Sequence, residues 1–384
     1  MGGWPSHLWG VFVFLAAVTA LAGLNVLFLP RLRPGRKPDR HPLVSVLIPA
    51  WDEEENIVEC VSSVLAQDYP SLEVLVLDDK SSDRTRQLVR DLSQRDGRVR
   101  LIEGTDPPPG WLGKSWACYN LYRESKGKLL LFTDADVRLR PGCLSAAVAG
   151  LQASGADVLT LFPRQLTGSF GERALLAILQ WSVLSFYPLF LAGKLKAPGL
   201  AVTVGQFILV RRAAYEAAGT HLGVRGEVVE DIALGRRIIE SGGRWRFLLD
   251  GGAVDCRMYR GLGQAFSGLV KGIFPAFGGR VLIFLFIWTW LSWVFSSPPV
   301  FFALSLASEG FAGTFAPALA CIGMSVALWS LSLLVQRQNP ALAFLYPMLV
   351  LTGAGVASYS MFASLTGRAS WKGRPLPPVR PRFP

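Results

Sequence analysis

The sequence predicts an α/β domain with a parallel, doubly wound sheet, held between N-terminal and C-terminal transmembrane helices. Three observations lead there. Strand and helix patterns alternate from residue 43 to residue 133. One long uncharged run precedes that stretch and three apolar runs follow it. Of the 384 residues, 51% are hydrophobic and 17% charged, whereas soluble domains carry about 25% charged residues. Such a chain is neither disordered nor wholly soluble.

Leu8–Leu29 is 22 residues without a charge, about 33 Å as a helix and long enough to cross a bilayer. No basic segment precedes it, and it ends in Leu29-Pro30-Arg31 rather than at a small-residue cleavage site. It therefore reads as a retained anchor, not a signal peptide. Arg31, Arg33, Arg36, Lys37 and Arg40 follow, against Asp39 alone, a net of +4. By the positive-inside rule this block places the next domain in the cytoplasm. A second basic segment, Arg368, Lys372, Arg374, Arg380 and Arg382, closes the chain at +5. The two together hold +9 of the net +11. Charge gathered beside hydrophobic runs points to anionic lipid and away from nucleic acid.

The middle of the chain is read in order. Leu43–Ala50 is a continuous apolar run, as a buried parallel strand requires. Glu53–Ala66 reads as a helix with Ile57, Val61, Val64 and Leu65 on one face. Leu72–Leu77 is the second strand. Ser81 and Ser82 offer N-caps for a helix over Asp83–Arg95. Val99–Glu103 and Leu129–Thr133 supply two further strands, and Ile232–Glu240 a later helix. Leu175–Ala192, between Arg173 and Lys194, is hydrophobic but has acidic motifs on both sides. A crossing there would split those motifs across the membrane, so a helix in the interface, or dipping into one leaflet, is expected.

Val281–Leu306, Phe311–Val335 and Ala341–Leu365 are the late apolar runs; Trp288, Trp290 and Trp293 suit an interface belt, and Pro298-Pro299 is a potential break. Four complete crossings that begin outside would leave the basic tail outside. Either one late run does not cross, the Pro298-Pro299 segment being the first candidate, or the tail breaks the charge rule. The expected layout is an anchor (1–30), a basic linker (31–41), a catalytic domain (42–280), about three helices (281–365) and a basic tail (366–384). Cys60, Cys118, Cys143, Cys256 and Cys321 stand singly, without a CxxC pair, and read as reduced, mostly buried thiols.

Acids recur at the carboxyl ends of the strands, where open parallel sheets bind ligands. The first strand ends in Pro49-Ala50-Trp51-Asp52-Glu53, the second in Asp78-Asp79-Lys80-Ser81, the fourth in Thr133-Asp134-Ala135-Asp136. The turn after the first strand holds Asp-Glu-Glu-Glu where a dinucleotide-binding fold needs glycines. Acids repel a diphosphate unless a cation bridges them, and Asp134 with Asp136 can hold Mg²⁺ or Mn²⁺. Asp231 opens a predicted helix, where the helix dipole alone would also favour an acid.

The motif order Pro-Ala-x-x-Glu-Glu, Asp-Asp-x-Ser, Asp-x-Asp and Glu230-Asp231 resembles glycosyltransferase family 2, which implies a GT-A (Rossmann-like) catalytic domain over roughly residues 42–280. Gly110-Trp111-x-Gly113-Lys114, Arg257-Met258-Tyr259 and Trp371-Lys372-Gly373-Arg374 are similar to the membrane-bound branch that glycosylates lipids, bacterial carotenoid glycosyltransferases in particular. The resemblance implies that Glu53, Asp78 and Asp79 bind the nucleoside of a nucleotide sugar, most readily a UDP-sugar. It implies that Asp134 and Asp136 hold the diphosphate through Mg²⁺ or Mn²⁺, and that Gly110, Trp111, Lys114 and Arg257 complete the donor site. Gly205, Gln206 and Glu230 fall on the acceptor side, and Asp231 is the general base of an inverting transfer. The acceptor implied is a carotenoid or similar isoprenoid lipid, and the location a bacterial cell membrane with the catalytic domain in the cytoplasm. Two departures stand out. Trp51 and Asp52 replace the family's usual Arg and Asn. Arg244-Trp245 lacks the Gln of the polymer-forming Gln-x-x-Arg-Trp motif, which favours addition of one sugar. A polyprenyl-phosphate or exopolysaccharide-assembly transferase, and a catalytically silent membrane scaffold, are the competing readings.

Overall fold

Runs of β-branched and leucine residues with no polar alternation set the main sheet, because a strand covered on both faces has no solvent side. In chain order the strands of the computed structural model are β1 (Val44–Ala50), β2 (Leu72–Asp78), β3 (Val99–Glu103), β4 (Leu129–Phe132), β5 (Val137–Leu139), β6 (Val158–Phe162), β7 (Arg164–Gln165), β8 (Ile208–Arg211), β9 (Trp245–Leu249) and β10 (Val254–Cys256). The structure describes residues 3–195 and 197–383. Seven strands form one sheet in the order β3-β2-β1-β4-β8-β6-β9, and β5-β10-β7 form a second. The alternation of strands and helices predicted a parallel sheet; β8 instead runs antiparallel between β4 and β6. Residues 133–207, with the helices Cys143–Ser154 and Phe170–Phe186, separate β4 from β8, beyond the regular alternation over residues 43–133 on which the parallel expectation rests.

Register is what matters for chemistry. Ala50 pairs with Asp78, Asp78 with Glu103, and Leu47 with Phe132. The three acidic loops after β1, β2 and β4 therefore leave the same edge of the sheet. The core beneath them includes Val46, Ile48, Val74, Val76, Leu131 and Phe207, all buried.

Two local readings change. The helix after β1 starts at Ile57, not at Glu53, because Asp52 sits at φ 49° and residues 53–56 form a turn. Ser81 and Ser82 do not cap the next helix, which spans Thr85–Arg95. They bind the facing loop: the Asp52 N–H donates to Ser81 Oγ (3.0 Å) and the Ser82 N–H to Asp52 Oδ1 (2.7 Å). Arg84 is the N-cap, and Asp83 before it accepts from the Thr85 N–H at 2.9 Å. The Glu53 N–H donates to Thr85 Oγ1 (2.8 Å) and the Glu54 N–H to Asp83 Oδ2 (3.0 Å), so the loops after β1 and β2 are tied together.

The chain divides into two compact units, which differ from the linear layout expected. The sheet unit holds residues 29–166 and 189–258; the helical unit holds residues 3–28, 167–188 and 259–383. The hydrophobic segment expected within the catalytic domain forms the helix Phe170–Phe186 and packs with the helical unit. Its Trp181 stacks on Trp329 (centroids 4.7 Å apart, planes at 13°) and meets Phe295 edge-on at 5.3 Å. Four helices are long and apolar enough to cross a membrane: Pro5–Phe28, Val281–Ala307, Glu309–Val335 and Pro340–Leu365. Pro298 and Pro299 lie inside an unbroken helix, Val281–Ala307. All five cysteines are free and buried.

Phe207, fully buried at the start of β8, ties the fold to the site, since Gly205 and Gln206 precede it. Phe207→Ala should lower stability by about 3–5 kcal/mol, read as the shift in a thermal or denaturant transition of the detergent-solubilised protein.

Candidate active site

Two acids from distant parts of the chain meet a single ammonium group. Lys114, in the first turn of the helix Gly113–Glu124, places Nζ 2.8 Å from Asp134 Oδ1 and 3.0 Å from Glu230 Oε1. Asp134 follows β4, and Glu230 opens the helix Glu230–Glu240. Desolvation works against the lysine charge, but Asp134 and Glu230 outweigh it and hold its pKa well above the usual value. Lys114 keeps 40% of its side chain exposed, and Asp134 keeps 26%, so this pair faces an approach route.

Asp231 stands beside that pair. Both carboxylate oxygens accept backbone N–H groups: Oδ2 from Gly205 and Oδ1 from Ile232, each at 2.8 Å. Thr203 Oγ–H donates to the Asp231 carbonyl, which docks the helix start on residues 203–205. Burial, then the neighbouring Glu230 carboxylate, pushes Asp231 up to about 6, against the pull of Lys114 and the two N–H groups. Gly205 is required here by space. A Cβ on it would sit 3.2 Å from Asp231 Oδ2 and 3.3 Å from Lys114 Nζ.

Asp136 lies on the other side of Asp134. Burial, then Asp134 and Glu53, raises it to about 7. Its backbone carbonyl accepts from the Arg257 N–H (3.0 Å), and its Oδ1 from the Cys256 thiol (3.4 Å). Arg257 is thus fixed next to the acid pair, with Nη1 donating to the Leu166 carbonyl at 2.6 Å. Glu53, Asp134 and Asp136 form an oxygen-rich, electron-rich set that suits a hard divalent cation. Among the described residues, no three His, Cys, Asp or Glu side chains converge tightly enough to hold a metal alone. A cation there would need ligand or water oxygens to complete its shell. Burial, then Asp136, pushes the Cys60 and Cys256 thiols far up.

The remaining expected residues surround this centre. Asp78 and Asp79 are buried at the end of β2, and Asp78 Oδ1 has no hydrogen-bond partner among the described residues. Gly110 adopts φ 84°, and Leu112 N–H donates to the Arg225 carbonyl at 2.8 Å, which pins the 110–113 loop. Trp111 packs on Trp116 and Tyr119 (5.1 and 5.2 Å), on an aromatic surface next to the loop rather than on the acids. Gln206 is buried: its carbonyl accepts from Thr133 Oγ, its Oε1 from Gln165 Nε2. Sequence reasoning missed Cys256, Gln165, Thr203 and Arg225. Only Cys256 carried a signal, as the residue before Arg257.

Gly205→Ala should keep the fold and displace Asp231 and Lys114. The Cβ asks each to give by only tenths of an ångström, so kcat/KM should fall against the parent by less than the about 10²-fold that a 1 Å misplacement costs.

Residues 45–219 match the family model described as glycosyl transferase family 2. Over 122 residues the chain is 36% identical to the glycosyltransferase AglE of Haloferax volcanii, covering 31% of this chain and 38% of that one. Over 199 residues it is 27% identical to the 4,4'-diaponeurosporenoate glycosyltransferase of Staphylococcus aureus, 51% of each chain. The chain thus matches about half the length, or less, of these curated relatives. Its fold is similar to that of the mannosyltransferase PcManGT from Pyrobaculum calidifontis, solved with GDP-Man and Mn²⁺ (TM-score 0.52, 19% identity, 94% of this chain and 98% of that one). Residues 45–219, a little under half of the chain, thus carry the match to glycosyl transferase family 2, and the fold is GT-A-like.

Proposed function

We propose that this chain is a membrane-bound, metal-dependent, inverting glycosyltransferase that moves one sugar from a nucleotide diphosphate to a lipid hydroxyl or carboxyl. The observation that carries it is the meeting of Asp134, Glu230 and Asp231 around Lys114 and Gly205. That geometry separates a leaving-group side from a base side. On the leaving-group side, Asp134 and Asp136 would hold Mg²⁺ or Mn²⁺, which supplies Lewis-acid neutralisation of the departing diphosphate. Lys114 lies close enough to share that charge, and Arg257 is held next to it. The unpartnered Asp78 Oδ1, with Asp79 and Glu53, offers acceptors for ribose hydroxyls or a base N–H.

On the base side, Asp231 takes the acceptor proton as the acceptor oxygen attacks the anomeric carbon. The two N–H groups fix the carboxylate and leave each oxygen a second lone pair for that proton. With one base and no second carboxylate nucleophile assigned, displacement is single and the anomeric configuration inverts. The acceptor is read as a carotenoid or related isoprenoid lipid. Support comes from the four apolar helices and from the staphylococcal relative, whose name gives a carotenoid acid as acceptor. UDP-sugar remains the first donor to test, GDP-sugar the second. The catalytic domain is assigned to the cytoplasm by the basic 31–40 block.

Two measurements test this. Membranes containing the protein should transfer label from a UDP- or GDP-sugar to an isoprenoid lipid fraction; label confined to polymer or to polyprenyl phosphate would overturn the acceptor. Asp231→Asn should cut kcat on the order of 10²–10⁴-fold with donor binding kept. Asp231 works deprotonated and sits raised to about 6. Parent kcat/KM should therefore hold above that pH and fall about tenfold per unit below it; a flat acid limb would exclude Asp231 as the base.

A further inference from the structure

The helical unit contradicts the simplest reading of its own hydropathy. Four of its helices have the length and composition to cross a membrane, yet the last of them points the wrong way for a fourth crossing. The reference is the helix Val281–Ala307. The helix Gly3–Phe28 runs antiparallel to it, with His7 against Trp293 and Phe301 and Phe14 against Trp290. The helix Phe315–Val335 also runs antiparallel to it. Phe315 meets Phe302, and Trp181 touches both Phe295 and Trp329. Phe28, Val281 and Val335 therefore share one end of the unit, and Pro5, Ala307 and Phe315 share the other. A fourth crossing would have to run parallel to Val281–Ala307 and finish beside Ala307.

It does the reverse. Tyr346 packs on Phe295 (5.9 Å), Gly353 faces Trp288, and Ala357 clusters with Phe284. Beyond Leu365 the Val379 N–H donates to the Ser364 carbonyl (2.9 Å), the Arg382 N–H to Gly279 (2.7 Å), and the Val281 N–H to Arg382 (3.3 Å). The helix Tyr346–Leu365 thus starts level with Phe295, about 21 Å in from Val281 along the axis, and ends at the Val281 end. Residues 336–345 make this possible. Arg337 turns the chain at φ 55°, Asn339 Oδ1 caps the Ala341 N–H (2.9 Å), and the short helix Pro340–Leu345 runs back against Phe315–Val335 with Leu342 and Ala343 buried.

We infer that residues 336–365 form a re-entrant hairpin, so that the chain crosses the bilayer three times and its basic tail lies on the same face as the 31–40 block. Charge supports this independently. The end with Pro5 and Ala307 has no Lys or Arg over residues 3–7 or 308–314 and carries Glu309. Arg280, Arg337 and the five basic residues of the tail all leave the other end, as does the 31–40 block after Phe28. Three crossings bring Arg280, Arg337, the tail and the 31–40 block to one leaflet, where anionic headgroups attract them. Four crossings would strand five of them on the opposite side. The break lies in the last apolar run, not at Pro298-Pro299.

The test is labelling of single introduced cysteines with a membrane-impermeant maleimide in sealed vesicles of each orientation, the parent with its buried cysteines giving the background. Ser370→Cys and Asn339→Cys should react from one and the same side, and Ser308→Cys from the other. Phe344→Cys should react from neither until detergent is added. Ser370→Cys reacting together with Ser308→Cys would overturn the three-crossing arrangement. Phe344→Cys reacting as readily as Asn339→Cys would overturn the dip into the bilayer. Arg374→Cys and Gly310→Cys repeat the comparison should a first variant fail to insert.

Discussion

The structure of the site depends on one ammonium group holding apart carboxylates that would otherwise repel one another. Sheet register delivers acids from three loops to one edge, and the helix Glu230–Glu240 adds two more. Lys114 bridges Asp134 and Glu230, neutralising one acid from each source. Burial first, then Asp134 and Glu53, raises Asp136 to about 7, and Lys114 offsets that only in part. The centre is electrostatically incomplete in a directed way. Negative charge is balanced toward Asp231 and left in excess toward Asp136, on the side where a cation and a diphosphate would meet.

On the proposed reading the two aspartates would take different jobs. Burial, then Glu230, raises Asp231 to about 6, against the pull of Lys114 and two backbone N–H groups. A base near that value is deprotonated at neutral pH yet strong enough to accept a proton in the transition state. Its position relies on Gly205, since any Cβ there would press on both Asp231 and Lys114. Asp231 is therefore positioned by one backbone segment, 203–205, which Thr203 ties to the helix start and Phe207 anchors in the core.

Much of this was legible from sequence because it rests on local rules. Continuous apolar runs gave β1, β2, β3 and β4 to within a residue or two, and acids directly after three of them marked the ligand edge. What was not legible depends on distant partners. Ser81 and Ser82 look like caps until Asp52 comes across to bind them. The antiparallel β8 is invisible because its four residues, Ile208–Arg211, read like any other apolar run. The coupling of Lys114 to Glu230 spans residues far apart in the chain and has no periodic signature. The helix Phe170–Phe186 carried a hydrophobic signal, but only packing against Phe295 and Trp329 assigns it to the helical unit.

Hydropathy fails for a comparable reason at the end of the chain. Length and apolar content measure whether a helix is able to cross, whereas direction is fixed by what its two ends touch. Pro340–Leu365 satisfies the first condition, and the register of Tyr346, Gly353 and Ala357 along Phe295, Trp288 and Phe284 decides the second. The charge pattern could have exposed the conflict but not its place, because a basic tail says only that one of the late runs does not cross. The +9 carried by the two flanking segments then has a single physical reading. On the proposed three-crossing arrangement it gathers at one leaflet beside the anchor, on residues distinct from Asp134, Asp136, Glu230 and Asp231, so lipid attraction and the proposed donor chemistry would use different groups.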